Sequence, residues 1–242
     1  MFRHKGKSRT WLHNLKLASL LSFVAGIVNV CGFFSVQKLT TNITGHFAFF
    51  ADEVVKTNFS AALILITYIL SFFMGAFLSN SLVEIVSRKN NHLRFANIVP
   101  IAVEILILLS IAILNPSTLH VNANLVSCAL LFSMGIQNAL VTTISNSVVR
   151  TTHLTGMFTD LGIEISQLIF YRRPEQAEKL KSSISLRFAI IAFFFLGCIT
   201  GGYAFLLVGI RALLLAVACL IFGMVWDTLK LKVVTIARKH RH

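Results

Sequence analysis

The residues best suited to bind a ligand stand in an eight-residue motif that occurs twice. Thr40–Phe47 reads TTNITGHF and Thr151–Phe158 reads TTHLTGMF. Both copies combine threonine hydroxyls with a glycine, and each follows a hydrophobic segment. Glu53 and Glu164 stand at the same distance behind the two motifs. A polar break that is duplicated in a chain this apolar indicates a binding site.

Each motif marks a place where a helix would stop and restart. Glycine adopts backbone conformations that are closed to other residues. A helix restarting at Thr44 or Thr155 would present free backbone N–H groups and a positive dipole end, which suit an anion or a polar group. The alternative is that each threonine only caps a short helix. Because the motif occurs twice at matched positions, we favour binding.

The predicted solute-binding residues comprise both motifs and three amides in the hydrophobic segments before them. The amides would contact solute from neighbouring spans, although interhelical hydrogen bonds explain them as simply. The set is Asn29, Thr41, Asn42, Thr44, Gly45, His46, Gln137, Asn138, Thr152, His153, Thr155 and Gly156.

Acidic residues follow both motifs. Asp160 and Glu164 share one face of a helix with Gly156, and Glu53 matches Glu164 in the first copy. An ionised acid at the centre of a span costs roughly 2.5–3.5 kcal/mol. The pair therefore predicts a polar cavity, a partner cation or a protonated form, and we assign proton coupling to Asp160, Glu164 and Glu53. The alternative is an interfacial helix with its acids in water.

Histidine is the other residue type here that could do chemistry. His46 or His153 could relay a proton, and a membrane-embedded enzyme could use either one as a general base. The chain has no GxSxG or HExxH constellation. We therefore expect no enzyme, no metal site and no cofactor. The four cysteines lie far apart in apolar stretches and are expected to pack as small hydrophobic residues.

The composition predicts an all-α polytopic membrane bundle. Of the 242 residues, 56% are hydrophobic and only 13% are charged, and runs of about 20 apolar residues can each cross a bilayer. Six spans fit: Leu15–Ser35, Ser60–Asn80, Phe95–Leu114, Asn124–Ser145, Arg187–Val208 and Ile210–Leu229. Gly45–Lys56 and Gly156–Tyr171 are predicted as short or re-entrant helices buried against these spans.

The net charge of +13 is confined to termini and loops. Placing both termini in the cytoplasm puts every strongly basic segment on one side, which is the positive-inside pattern. No aromatic residues are interleaved with the basic ones to stack on bases, so we expect no nucleic-acid partner.

The two halves align as repeats within a single membrane domain of residues 1–242. Repeat 1 covers about 15–114 and repeat 2 about 124–229, between basic tails 1–14 and 230–242. Gly26 and Asn29 parallel Gly135 and Asn138 in the spans before the two motifs. Because each half holds three spans, the second half begins on the opposite face, so the repeats are predicted to have inverted topology, as in many secondary transporters.

Three motifs at these separations resemble the YoaK family of bacterial inner-membrane proteins. They are Thr41–His46, Gly135–Ala139 and Thr152–Gly156. The family commonly has Asp at the position of Asn29 and Asn at the position of His46. The resemblance implies a multi-pass protein of the bacterial inner membrane that transports a small molecule.

We therefore expect a carrier for a small polar or anionic solute, working by alternating access around the two threonine-glycine breaks. An enzyme using His46 or His153, or a structural or regulatory membrane protein, is the alternative. The expected partners are the solute and the lipid bilayer, and a homo-oligomer is left open.

Overall fold

The computed structural model describes residues 10–89, 96–170 and 174–239, with side chains described up to residue 226 except for Lys89. Several predicted features lie outside the described residues. They are residues 1–9 and 240–242 of the basic tails, residue 95 of the third predicted span, and residue 171 of the second predicted short helix.

The described chain is helical throughout, and its helices are joined by short connections. In chain order they are α1 (Trp11–Val36), α2 (Ile43–Val55), α3 (Phe59–Lys89), α4 (Ile98–Ala112), α5 (Pro116–Val121), α6 (Ala123–Ser145), α7 (Leu154–Phe170), α8 (Pro174–Val208), a 3-10 turn (Gly209–Ala212) and α9 (Leu213–Lys239).

The helices confirm a membrane protein. Four described segments are long and apolar enough to cross a bilayer: Trp11–Val36, Phe59–Arg88, Ala123–Ser145 and Pro174–Trp226. The last is divided by the turn at Gly209, where φ is +62°. Helix α4 is apolar but has 15 residues, fewer than the roughly 20 that a bilayer core requires. The division into six spans therefore stays a prediction.

The predicted element types agree with the structure, but the end of α3, the start of α8 and one connection differ. Helix α3 continues to Lys89, well past Asn80. Helix α8 begins at Pro174, long before Arg187. The loop expected over 115–123 contains α5, which starts at Pro116. Proline is favoured at the first helical position because its missing N–H has no intrahelical acceptor there.

Helices α1 and α8 approach each other through glycine. Gly26 of α1 lies against the backbone carbonyl of Phe194 in α8, and Gly197 of α8 lies against the backbone carbonyl of Phe23 in α1. A Cβ at either glycine would overlap the opposite backbone. Glycine therefore sets the distance between this pair, as is common where lipid gives helices no hydrophobic drive to associate.

Helices α3 and α6 repeat this contact. Gly75 of α3 lies against the carbonyl of Phe132 in α6, and Gly135 of α6 lies against the carbonyl of Phe72 in α3. The two contacts are equivalent under the alignment of the halves, because α1 matches α6 and α3 matches α8. Each half thus packs the helix before its motif against a helix of the other half.

The contacts also give the directions of the helices. Helices α1 and α8 run parallel, since Trp11 donates to the carbonyl of Ser182 near their starts and Cys31 reaches that of Gly201 further along both. Helices α3 and α6 also run parallel, from the contact of Tyr68 with Asn124 to that of Gly75 with Phe132.

Helices α1 and α6 run antiparallel. Gln137 donates to the carbonyl of Leu21, whereas Leu130 lies against Gly32. The two helices that match in the alignment of the halves therefore point in opposite directions.

We expect substitution of the four contact glycines to destabilise the bundle. Replacing Gly26, Gly75, Gly135 or Gly197 with Ala should lower the free energy of unfolding by about 1–3 kcal/mol, because the paired helices must separate. Unfolding in mixed micelles, followed by circular dichroism, measures the change.

The matched control is Gly162→Ala. A Cβ at Gly162 would meet no atom within 4 Å, so its effect should be neutral, or stabilising through helix propensity. Equal effects at Gly162 and at the four contact glycines would contradict the packing argument.

Candidate functional site

Both breaks begin with the same helix ending. Helix α1 stops at Val36, and Gln37 takes a left-handed conformation with φ of 54°. Helix α6 stops at Ser145, and Asn146 takes φ of 55°. A left-handed residue turns the chain out of the helix and satisfies its last carbonyl groups. The chain then returns alongside the helix that it has just left.

The helices after the breaks start one residue before the threonines that the sequence suggested. Helix α2 starts at Ile43, and the Asn42 side chain caps it by accepting a hydrogen bond from the N–H of Gly45 at 3.0 Å. Helix α7 starts at Leu154, after His153. Neither Thr44 nor Thr155 is therefore the cap.

Glycine in the motifs provides space, and the expectation that it provides unusual backbone angles is wrong. Neither Gly45 nor Gly156 has a positive φ. A Cβ at Gly156 would collide with the His153 ring, and one at Gly45 would crowd the Asn42 side chain at 3.2 Å. Each glycine therefore leaves room for the side chain three residues before it to lie over the first turn of the helix.

An asparagine and a threonine hold each break against the span before it. The Thr41 hydroxyl donates to Oδ1 of Asn29 at 2.8 Å. The Thr152 hydroxyl donates to Oδ1 of Asn138 at 2.9 Å. Thr151 also donates to Oδ1 of Asn138, at 3.3 Å. The two breaks are thus fixed by the same interaction at matched positions.

The two breaks line one cavity of about 880 Å³. It lies between the two motifs and the helices that pack through glycine. Its lining includes nine of the predicted solute-binding residues: Asn29, Thr41, Asn42, Thr44, Gly45, Asn138, Thr152, His153 and Thr155. This volume is within the range of small-molecule sites in proteins.

The other three predicted residues lie outside the lining. His46 is buried behind the first break, with Nε2 2.7 Å from the carbonyl oxygen of Leu39 and its ring 5.3 Å from that of Tyr68. Gln137 is fully buried and donates to Leu21. Gly156 lies beneath the ring of His153.

The acidic residues of α7 have a partner cation. Arg187 of α8 donates through Nη1 to Asp160 at 2.7 Å and through Nε to Glu164 at 3.0 Å. Ser183 donates to the second oxygen of Glu164. Glu53 differs, because it forms no ion pair among the described residues and accepts instead from Asn58, which lies between α2 and α3. The match between Glu53 and Glu164 in sequence is therefore not a match in contacts.

A second cavity, of about 380 Å³, adjoins the acidic cluster. It is lined by Asp160, Ser183 and Arg187 and shares Arg150 and His153 with the large cavity. Because Trp11 at the start of α1 donates to Ser182, this cavity lies toward the end of the bundle at which α1 begins.

Sequence reasoning missed several lining residues, and three of them matter most to the site. Phe72 and Phe194 line the large cavity at the glycine contacts, and Arg150 lines both cavities. A signal for Arg150 was present, because it is the only Lys or Arg between Arg94 and Arg172 and directly precedes a motif. Glu104 is fully buried, and its carboxylate oxygens have no hydrogen-bond partner among the described residues, but it lines neither cavity.

The comparisons with known proteins match most of the chain. The family described as "Protein of unknown function (DUF1275)" matches residues 17–226, which include both motifs. The UPF0700 transmembrane protein YoaK of Bacillus subtilis (strain 168) is 26% identical over 178 residues, which are 73% of this chain and 78% of that protein. No solved structure matches the chain.

We expect the two asparagine–threonine contacts to be energetically coupled. A double-mutant cycle of Asn138→Ala with Thr152→Val should give a coupling of about 0.5–1.5 kcal/mol, the usual net contribution of a hydrogen bond. Asn29→Ala with Thr41→Val should give a similar value. Asn29→Ala with Thr152→Val joins residues of different breaks and should be additive. Additivity in both contact pairs would contradict the arrangement described here.

We also expect Arg187 to stabilise the second half. Arg187→Gln leaves Glu164, whose side chain is 14% exposed, without its charged partner and should lower the unfolding free energy by about 1.5–3 kcal/mol. Adding Glu164→Gln should recover part of the loss.

The control for that experiment is Lys56→Gln. Its ion pair with Asp52 is exposed, at 62% and 52% for the two side chains, and should contribute little to stability because water screens both charges. A loss at Arg187 no larger than that at Lys56 would refute the assigned role.

Proposed function

Since the chain belongs to the YoaK family, described as DUF1275, we propose that it is a membrane carrier for a small polar or anionic solute. The solute binds in the 880 Å³ cavity between the two threonine-glycine breaks. Transport proceeds by alternating access, in which the two halves rock around this site. The protein resides in the bacterial inner membrane with both termini in the cytoplasm.

The observation on which this proposal rests is that both breaks face the same cavity. Non-helical backbone is tolerated at membrane depth only where it is buried in protein or lines a water-filled space. Here two such segments, with their hydroxyl and amide side chains, converge on one volume. A purely structural role would not require both breaks to open onto a shared space.

The contacts between the halves support an inverted-topology repeat. The glycine contact of α1 with α8 is equivalent to that of α6 with α3. The matched helices α1 and α6 run antiparallel, as a two-fold axis in the membrane plane requires. The parallel pairs α1–α8 and α3–α6 also have the directions that six alternating spans would give them. Such repeats allow one fold to open alternately to either side.

Differences between the two halves suggest which side is open. Met157 and Ile190 line the smaller cavity, toward the start of α1. The matched residues in the other half, His46 and Tyr68, instead pack ring against ring at 5.3 Å. We therefore interpret this conformation as open toward the cytoplasm and closed by His46 and Tyr68 on the opposite side.

Asp160 and Glu164 are the proposed coupling residues. Both are bound to Arg187 beside the smaller cavity, so protonating either one would weaken the contact between α7 and α8. A proton could thus favour a different packing of these helices. Glu53 forms no ion pair among the residues described, so its coupling role stays a prediction from its position behind the first motif.

An enzyme is the rival reading, and His153 is its remaining candidate base because it lines both cavities. His46 contributes to neither. A carrier accounts better for duplicated features on both sides of one cavity than a single histidine in one half does.

Cysteine accessibility tests alternating access without knowledge of the solute. In a variant whose four cysteines are replaced by alanine, Thr44→Cys and Thr155→Cys are labelled separately with a membrane-impermeant maleimide. Inside-out and right-side-out vesicles expose opposite faces to the reagent. Both positions should be labelled from the cytoplasmic face, and more slowly from the outer face, since one cavity serves both breaks.

Ser22→Cys is the control, because Ser22 is fully buried and should not react from either face. Labelling of Thr44→Cys only from outside, with Thr155→Cys labelled only from inside, would refute the proposal. That result would mean two separate clefts and no shared site.

A further inference from the structure

The large cavity has one charged residue in its lining. Of the residues that surround it, Arg150 alone carries a formal charge, and no acid faces the space. The remaining lining is divided between amides and hydroxyls of the motifs and apolar side chains such as Phe72 and Phe194. Any ligand in this cavity therefore meets a positive field at one point.

Arg150 has no counterion in the part of the chain that the structure describes. Among the described residues it makes no hydrogen bond and no ion pair, although it lines both cavities. Arg187, the other arginine at the smaller cavity, is bound by Asp160 and Glu164. Because Arg150 is also exposed, its guanidinium is available to a ligand that enters either cavity.

The backbone around Arg150 is fixed on both sides. Val149 donates its N–H to the Ser145 hydroxyl at 3.0 Å, and that hydroxyl donates back to the carbonyl of Val149 at 3.3 Å. Thr151 is fully buried and donates to Asn138. The exposed guanidinium thus stands on a segment held against α6, which is the anchoring that a recognition residue needs.

The start of α7 adds to this positive field. The first N–H groups of a helix have no intrahelical acceptor, and no described side chain accepts from those of Leu154, Thr155 or Gly156. In α2, by contrast, Asn42 accepts from Gly45. Leu154 and Thr155 line the same cavity as Arg150. The uncapped start of α7 thus contributes to the same positive end of the site.

Arg150 also distinguishes the two halves. The residue before the first motif is Leu39, which lines the same cavity at the matched position. One end of the site is therefore cationic and the other is neutral, which suits a solute with a single anionic group. Guanidinium binds carboxylate and phosphate through two parallel hydrogen bonds.

We propose that Arg150 binds the anionic group, a carboxylate or a phosphate, of a small solute whose neutral part lies toward Leu39. This inference rests on the proposed function, because it names the class of solute that the carrier takes.

Binding to purified protein tests the inference. Wild-type protein in phosphatidylcholine nanodiscs is titrated with radiolabelled pyruvate, succinate and inorganic phosphate, and with the neutral compounds glycerol and succinamide. At least one anion should bind, and the neutral compounds should not. Arg150→Gln should weaken binding about tenfold to a hundredfold, the range for hydrogen bonds to charged groups. Arg150→Lys should restore part of it.

Arg211→Gln is the matched control. Arg211 is also exposed and lines a cavity of about 380 Å³, but that cavity lies beside Phe34 and Ser35 at the other end of α1. Its replacement should leave anion binding unchanged. Melting temperatures of all variants show whether a loss of binding reflects unfolding.

The outcomes separate this inference from the carrier proposal. The role of Arg150 would be overturned if only neutral compounds bind, or if no anion binds at up to about 10 mM. It would also be overturned if Arg150→Gln binds the anion as tightly as the wild-type protein does. If anion binding is lost in phosphatidylglycerol nanodiscs, the site binds lipid headgroups, and the proposed binding of a solute by Arg150 is overturned as well. Arg150-dependent binding without counterflow in proteoliposomes would leave the inference intact and contradict the carrier.

Discussion

Two hydrogen bonds, from Thr41 to Asn29 and from Thr152 to Asn138, hold the broken backbone of this protein in place. A chain that leaves its helix among apolar spans must find partners for its polar groups inside the protein. Each break does so by returning alongside the helix it has left and bonding to an asparagine there. Because both breaks are held by the same kind of hydrogen bond, the helices that come after them, α2 and α7, start beside one shared cavity.

Close approach of the spans is the second condition for that cavity. Glycine brings α1 against α8 and α6 against α3, with phenylalanine backbones at both crossings. The side chains of Phe72 and Phe194 then face the cavity between the two crossings. The halves are therefore joined by two equivalent contacts, and the polar site lies between them.

Local features of the site could be predicted from sequence, whereas contacts between distant segments could not. The duplicated motif located both breaks, and Asn29 and Asn138 stood out as amides in apolar spans. His46 was assigned to the site because it adjoins the motif, but its helical position turns it toward Leu39 and Tyr68. The partner of Asp160 and Glu164 is Arg187, which had been placed at a span end. Arg150 was missed because a single basic residue in a loop resembles an ordinary topogenic charge.

The central claim is that two interrupted helices meet at one cavity within the bilayer. An experimental structure in lipid nanodiscs, determined by electron cryomicroscopy with a bound antibody fragment, tests it most directly. The account predicts that Thr41 and Thr152 both lie within the hydrocarbon layer and border a single water-filled space. The account would be contradicted if either threonine lies at the level of the lipid headgroups. It would also be contradicted if side chains fill the space between the two motifs.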